Sequence, residues 1–468
     1  MKPVNRTLHS FLTEYACRQP DRRLLGGPEG WLTAAQTLDR VELLAERLGR
    51  DGIHRGDFVA LRAVRCVDTA LWLLTLQCIG AVAVLTDPRR EIRDFLSGLE
   101  LSLPVSALVE GDCMTVLTPS APEEGEVDPK APGFLIFTSG STGKPKAVML
   151  SQYNLVNNLV DSQPLGCYHP EDIALGALPL EHVFGLVLLA GVCVLGYGIY
   201  FPESTGLEHL LSCIENQKIT RMNGVPSLYL AMAEQAERYD LSSLRAGFIG
   251  GGPYTPEQFC RIEEVLGITL IPVYGMSECI GIACGNWQDS QALRARGVGR
   301  IYSMNTCKIL LPDGSEASTG QTGEIHVTGP ARMVGYYPDR MAPEELLPTG
   351  DLGALDGQGL LCITGRKKDI IIRNGVNIAP QPIEDALRSI PGVKEACVVG
   401  LPHALQGEVP WALVVGTRTA TELFAILSGL LPKNQLPLEI ILGEQMPMTG
   451  SGKPDKMAVR EVLKKWIL

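Results

Sequence analysis

Short apolar runs alternate with segments whose apolar residues recur every three or four positions through most of the 468-residue chain. The first pattern predicts strands and the second amphipathic helices, because side chains repeat every two residues on a strand and every 3.6 on a helix. Strands are predicted at 58–61, 82–85, 134–137, 200–201, 248–249 and 270–273, with helices between them, as at 37–48 and 256–266. Such alternation is the signature of layered α/β architecture. Residues 183–201 carry no charge and approach the length of a membrane span. Four glycines and an aromatic, β-branched end make a buried helix turning into a buried strand the better reading. Residues 308–361 are dense in Gly, Pro and short strands and predict a β-rich subdomain. Beyond them, 370–378 reads as a strand with a Gly turn leading to a helix at 382–390, and a short helix is predicted at 457–468.

Composition narrows the picture. The chain is 45% hydrophobic and 20% charged, which excludes collagen-like, mucin-like and disordered classes. A net charge of −11 argues against a protein that coats nucleic acid or an anionic membrane. The 13 cysteines show no C-x-x-C spacing, and the first 23 residues lack the uninterrupted apolar stretch of a secretory signal, so a cytoplasmic location is expected. Charge is unevenly spread: residues 366–468 hold 13 Lys plus Arg against 10 Asp plus Glu, and the preceding residues 28 against 42. The expected organisation is a large domain at 1–365, of α/β subdomains plus the β-rich one, and a small α+β domain at 366–468. The turn at 365–368 is the candidate hinge.

Candidate chemistry begins where the run at 134–137 empties into Thr138, Ser139, Gly140, Ser141, Thr142, Gly143 and Lys144. Glycines let backbone N–H groups turn inward, hydroxyls add donors and a Lys adds charge, which suits a polyphosphate. This is no Walker A loop: Thr138 stands where its first Gly belongs and Pro145 where its metal-binding hydroxyl belongs.

The segment 137–150, FTSGSTGKPKAVML, resembles the phosphate loop of the adenylate-forming superfamily, which comprises acyl-CoA and aryl-CoA ligases, peptide-synthetase adenylation domains and luciferases. Four further segments are similar in order and spacing: Tyr274-Gly275-Met276-Ser277-Glu278, Thr349-Gly350-Asp351-Leu352-Gly353, Thr364-Gly365-Arg366-Lys367-Lys368-Asp369, and Met448-Thr449-Gly450-Ser451-Gly452-Lys453. The resemblance implies an enzyme in which a carboxylate attacks the α-phosphate of ATP, releasing pyrophosphate and leaving an acyl-adenylate. It implies further that Thr138, Ser139, Ser141, Thr142 and Lys144 grip the departing phosphates and that Glu278 holds Mg²⁺. Asp351 would accept bonds from the ribose with Arg366 assisting, and Gly250, Gly251 and Gly252 would lie along the adenine. Lys453 would bridge the α-phosphate and the substrate carboxylate, where a cation stabilises the charge that builds in the transition state.

His182 lies in Leu178-Pro179-Leu180-Glu181-His182-Val183-Phe184-Gly185, which resembles the P-x-x-H-x-x-G segment of CoA ligases and implies a role in gating or beside the phosphates. Asn223, Gly224, Val225, Tyr229, Gly250 and Tyr274 are expected to line the acid pocket. Amino-acid-activating relatives place an Asp in this region for the α-ammonium; no Asp stands between Asp172 and Asp240, so an aliphatic or aromatic acid without an α-amino group is expected. The family pattern makes the C-terminal domain swing about Lys368 after adenylation, with Gly375 making room for a pantetheine thiol. Ala147 replaces the usual Gly after the Pro-Lys pair, and Gln152 stands where many relatives carry His; neither removes a phosphate ligand. Three functions remain: ligation to CoA, loading of a carrier-protein phosphopantetheine, and a silent nucleotide- or acyl-binding regulator, which the intact Lys453, Glu278, Asp351 and Arg366 disfavour. A monomer and a dimer are both open.

Overall fold

The computed structural model describes residues 1–99, 101–123, 125–139, 145–448 and 454–466, which form four sheets. The largest runs, in spatial order, Arg300–Ile301, Cys279–Cys284, Thr269–Met276, Ala246–Ile249, Arg221–Gly224, Ile173–Leu175, Gly198–Tyr200, Arg23–Gly27 and Gly30–Thr33. Its centre is parallel and its edges antiparallel. A seven-stranded sheet runs Gly335–Tyr336, Pro145–Ser151, Pro132–Ser139, Val82–Thr86, Phe58–Arg62, Val105–Glu110 and Cys113–Val116.

One core joins these two sheets. It takes Leu24, Leu25 and Ile199 from the first, Leu61, Leu85, Ile136 and Val148 from the second, and Leu12, Val41, Leu73, Leu155 and Leu189 from the helices between. Strands covered on both faces become nearly continuously apolar, as in Val82–Thr86, where every residue is buried and Thr86 alone is polar. The charge-free stretch resolves as expected into a buried helix, Val183–Val194, and the strand Gly198–Tyr200. Among the described residues no helix is long and apolar enough to cross a membrane.

Helix boundaries follow caps more closely than apolar periodicity. The helix expected at 37–48 spans Ala34–Arg50, because Thr33 and Gln36 form a reciprocal capping box one turn earlier. Pro256–Leu266 matches its expectation, with Thr255 and Gln258 as the box and Gly267 in the left-handed region at its end. The helix expected at 382–390 spans Pro380–Arg388, with proline in its first turn, and the last helix is Lys456–Lys464.

The β-rich zone is an antiparallel sheet of Thr306–Leu310, Gly323–Thr328, Leu347–Leu355 and Leu361–Arg366. After a short turn at Lys367–Asp369 the chain enters the last sheet, in which Val393–His403 and Gly407–Gly416 form the long central hairpin. Helices Pro380–Arg388 and Ala420–Leu430 contribute to the core on one face of that sheet and Lys456–Lys464 to a second core. Lys456 ties the two ends of this region together, with Nζ 3.0 Å from Asp369 Oδ2 and 3.5 Å from Glu384 Oε1.

Candidate active site

Asp351 is the centre of the site. Its strand pairs with Leu361–Arg366 so that Asp351 stands opposite Arg366, whose Nε lies 3.0 Å from Oδ1. Tyr274, from the end of the strand Thr269–Met276, donates its hydroxyl to Oδ2 at 2.7 Å. Thr349 accepts from the Asp351 backbone N–H at 3.1 Å and donates to Ile325 O at 2.8 Å, so the Thr of the T-G-D segment shapes the turn. The Gly between them has φ +72°, a conformation that disfavours any residue with a Cβ. Burial, with the Asp351 carboxylate next in size, pushes the Tyr274 hydroxyl well above its ordinary pKa and keeps it a donor.

Glu278 follows in the turn after Met276. Its Oε1 accepts from the Tyr336 hydroxyl at 2.8 Å, and its backbone carbonyl accepts from Met333 N–H at 2.8 Å. No described residue bonds Oε2. Mg²⁺ favours one or two carboxylates with phosphate oxygens and water, and a single carboxylate with one oxygen held and one open fits that ion. Gly275 is fixed by space: a Cβ there would stand 2.1 Å from Ile280 O.

The phosphate segment is an antiparallel hairpin whose arms are in register at Thr138 opposite Lys146 and Ser139 opposite Pro145. Gly140, Ser141, Thr142, Gly143 and Lys144 lie outside the described residues, as does Lys453 with its loop. Lys146, on the outgoing arm, sets Nζ 4.7 Å from the centre of the Tyr336 ring, so the hairpin and Glu278 meet through one tyrosine. Sequence reasoning missed both residues. The second Lys of Lys144-Pro145-Lys146 was a visible signal for one; nothing local marks Tyr336, which arrives through pairing with Val148.

Gly250, Gly251 and Gly252 leave the strand Ala246–Ile249, and Gly250 N–H donates to Gly224 O at 3.2 Å. A cavity between this turn and the C-terminal domain is lined by Val225, Ser227, Gly251, Gly252, Met448 and Pro454. Met448 and Pro454 bracket the Lys453 loop. Asn223 is buried, and its Oδ1 has no partner among the described residues. Tyr229 does not face open space: it is fully buried in an apolar cluster and donates to Met222 O at 3.0 Å, so packing rather than acid contact is what the fold gives it.

His182 precedes the first turn of Val183–Val194, and its carbonyl accepts from Gly185 and Leu186 N–H. The segment's Gly is needed there, since a Cβ on Gly185 would stand 2.0 Å from Pro179 O. Ser277 is half-buried beside Glu278. Lys368 is exposed in the 367–369 turn. Gly375 occupies an exposed hairpin turn at φ +77° with open space where a Cβ would be. Gln152 is a structural peg, accepting from Leu8 N–H at 2.8 Å and donating to Gln77 O at 2.9 Å.

The family model described as AMP-binding enzyme matches residues 12–337, and that of its C-terminal domain matches 382–453. The chain belongs to the AMP-binding enzyme family. Indoleacetate–CoA ligase of Aromatoleum aromaticum is 30% identical to this member over 97% of the chain and 98% of the relative. 2-Succinylbenzoate–CoA ligase of Bacillus mycoides is 29% identical over 98% and 99%. The structure of o-succinylbenzoate coenzyme A synthetase from Bacillus subtilis, in complex with ATP and magnesium ion, superimposes with TM-score 0.83 at 27% identity, over 98% of this chain and 100% of that one. The α/β architecture with a small C-terminal domain and the AMP-forming ligase class, both expected from the motifs, hold for this chain.

Proposed function

We propose that the protein activates a carboxylic acid lacking an α-amino group, using ATP, and passes the acyl group to the thiol of CoA. The observation that carries this reading is the convergence on Asp351: a buried carboxylate receives Tyr274 and faces Arg366, so three motifs distant in sequence form one group. A carboxylate is an acceptor that suits ribose hydroxyls, and in this reading Gly251 and Gly252, which line the cavity facing the C-terminal domain, lie along the base.

In this reading Thr138, Ser139, Ser141, Thr142 and Lys144 hold the β- and γ-phosphates. Glu278 holds Mg²⁺, which when bound neutralises phosphate charge. The acid enters beside His182, Asn223, Gly224 and Val225. Its carboxylate oxygen attacks the α-phosphorus, the bond to the pyrophosphate oxygen breaks, and Lys453 stabilises the charge between them. CoA sulfur then displaces AMP from the acyl carbon after the C-terminal domain turns about Lys368 and brings Gly375 to the cleft.

The test is ATP–pyrophosphate exchange over a panel of aliphatic, aryl and amino acids, followed by thioester formation with free CoA. Exchange with an acid that lacks an α-amino group, with AMP and a CoA thioester as products, is expected. ADP and orthophosphate as products would overturn the mechanism, and transfer only to a carrier-protein thiol would overturn the acceptor.

A further inference from the structure

Three segments meet at Tyr336. The first is the outgoing arm of the phosphate hairpin, where Val148 pairs with Tyr336 and Met149 with Gly335. The second is the Ser277-Glu278 turn, whose Glu278 Oε1 accepts the Tyr336 hydroxyl at 2.8 Å. The third is the Tyr336 segment itself, held on both sides by backbone bonds from Val334 N–H to Met149 O and from Tyr337 N–H to Ala147 O, each 2.9 Å. Lys146 places its ammonium 4.7 Å from the ring centre, inside the range of a cation–π contact. Main-chain pairing therefore fixes the backbone that carries the ring, and Glu278 and Lys146 meet its hydroxyl and its face.

We propose that Tyr336 is a positioning residue for the metal and nucleotide. Its hydroxyl occupies Glu278 Oε1 and leaves Oε2 for Mg²⁺, while its ring carries Lys146 at the mouth of the phosphate hairpin. This rests on the reading of Glu278 as the metal carboxylate. The physical reason for such a device is that a glutamate in a turn has several rotamers, and ordering it on metal binding costs side-chain entropy. A hydrogen bond from a neighbour whose backbone is already paired removes part of that cost, which is how groups behind metal ligands affect affinity. Among the described residues Lys146 forms no salt bridge, so the ring holds the ammonium with its charge unneutralised.

Binding of Mn²⁺ to the enzyme in the presence of α,β-methylene-ATP, followed by electron paramagnetic resonance, reads the metal directly. Tyr336→Phe keeps the ring and should weaken Mn²⁺ roughly 10- to 100-fold, and the accompanying loss of pyrophosphate exchange should be recovered as Mg²⁺ is raised. Tyr336→Leu removes the ring as well and should also weaken the analogue in EDTA, as should Lys146→Met. Mn²⁺ affinity of Tyr336→Phe within twofold of wild type would overturn the proposal, and that variant keeps the fold question closed because only one oxygen is lost. Glu278→Gln separates the two readings: unchanged Mn²⁺ binding in Glu278→Gln refutes Glu278 as ligand, whereas its loss there with Tyr336→Phe unaffected refutes only the tyrosine.

Discussion

The Tyr274 hydroxyl donates to Asp351 Oδ2 at 2.7 Å, while the other oxygen of the same carboxylate faces Arg366. A hydrogen bond to a charged group contributes about 1.5 to 3 kcal/mol, so Tyr274→Phe should weaken binding of a non-hydrolysable ATP analogue roughly 10- to 100-fold. Asp351→Asn should weaken it more, because it replaces one of the two acceptor oxygens with a donor and leaves Arg366 facing a neutral group. Calorimetric titration decides the point. Wild-type affinity in Tyr274→Phe would reduce the tyrosine to packing.

At the starts of the neighbouring strands Ile173–Leu175 and Arg221–Gly224, Asp172 and Arg221 form a fully buried pair at 3.0 Å. Arg221 also donates to Gly166 O at 3.1 Å and lies 3.9 Å above the Tyr168 ring, and Arg245, Thr220 and the His169 N–H, at 2.8 Å, complete the shell of Asp172. Burial alone would raise the Asp172 pKa, but Thr220, Arg221, the His169 N–H and Arg245 together outweigh it and hold the carboxyl below its ordinary value of 3.8. Its stabilising effect is therefore present above that value and lost as pH falls through the lower folded one. Asp172→Asn strands the buried guanidinium and should cost about 3 to 5 kcal/mol. Urea unfolding at pH 7 measures it, and a cost under about 1 kcal/mol would mean that Arg221 is satisfied by Gly166 and Tyr168 without Asp172.

The sheet order could not be read from the chain, but the layers could, because strands buried on both faces carry continuous apolar runs, such as 82–85. Cap chemistry was legible too: Thr33 with Gln36 and Thr255 with Gln258 stand in the sequence as plain signals. The T-G-D turn is a local motif, so its carboxylate could be named from sequence. Tyr336 could not, since its role comes from pairing with a strand nearly 190 residues earlier in the chain. Tyr229 misled for the opposite reason: it borders the pocket segment in sequence, yet the helix Pro226–Gln235 turns it into the core.

The two half-reactions should separate on Lys453. A cation between the α-phosphate and the attacking carboxylate matters only while the adenylate forms, and losing such a group costs about 3 to 4 kcal/mol by analogy with an oxyanion donor. Lys453→Ala should thus slow adenylation by a factor of several hundred, while transfer to CoA from a supplied acyl-adenylate falls far less. Single-turnover assays of each half give the ratio. Equal losses in both would refute a role for Lys453 confined to the first step.

Glu181, next to His182, carries a buried Oε2 with no partner among the described residues. Burial is the main reason its carboxyl is pushed from the ordinary 4.5 up to about 7; Asp87 adds to the shift, and Arg65 and Arg89 oppose it. A folded pKa above the unfolded one means that the protonated form stabilises the fold. That contribution is complete below about 4.5 and is lost as pH rises through about 7. Glu181→Gln removes the titration, so the wild type should lose roughly 1 to 3 kcal/mol relative to the variant between pH 5 and 8.5. Urea unfolding of both proteins across that range reads the difference directly. Parallel stability curves would show that the Glu181 carboxyl titrates alike in the folded and unfolded chains, with Arg65 and Arg89 offsetting its burial.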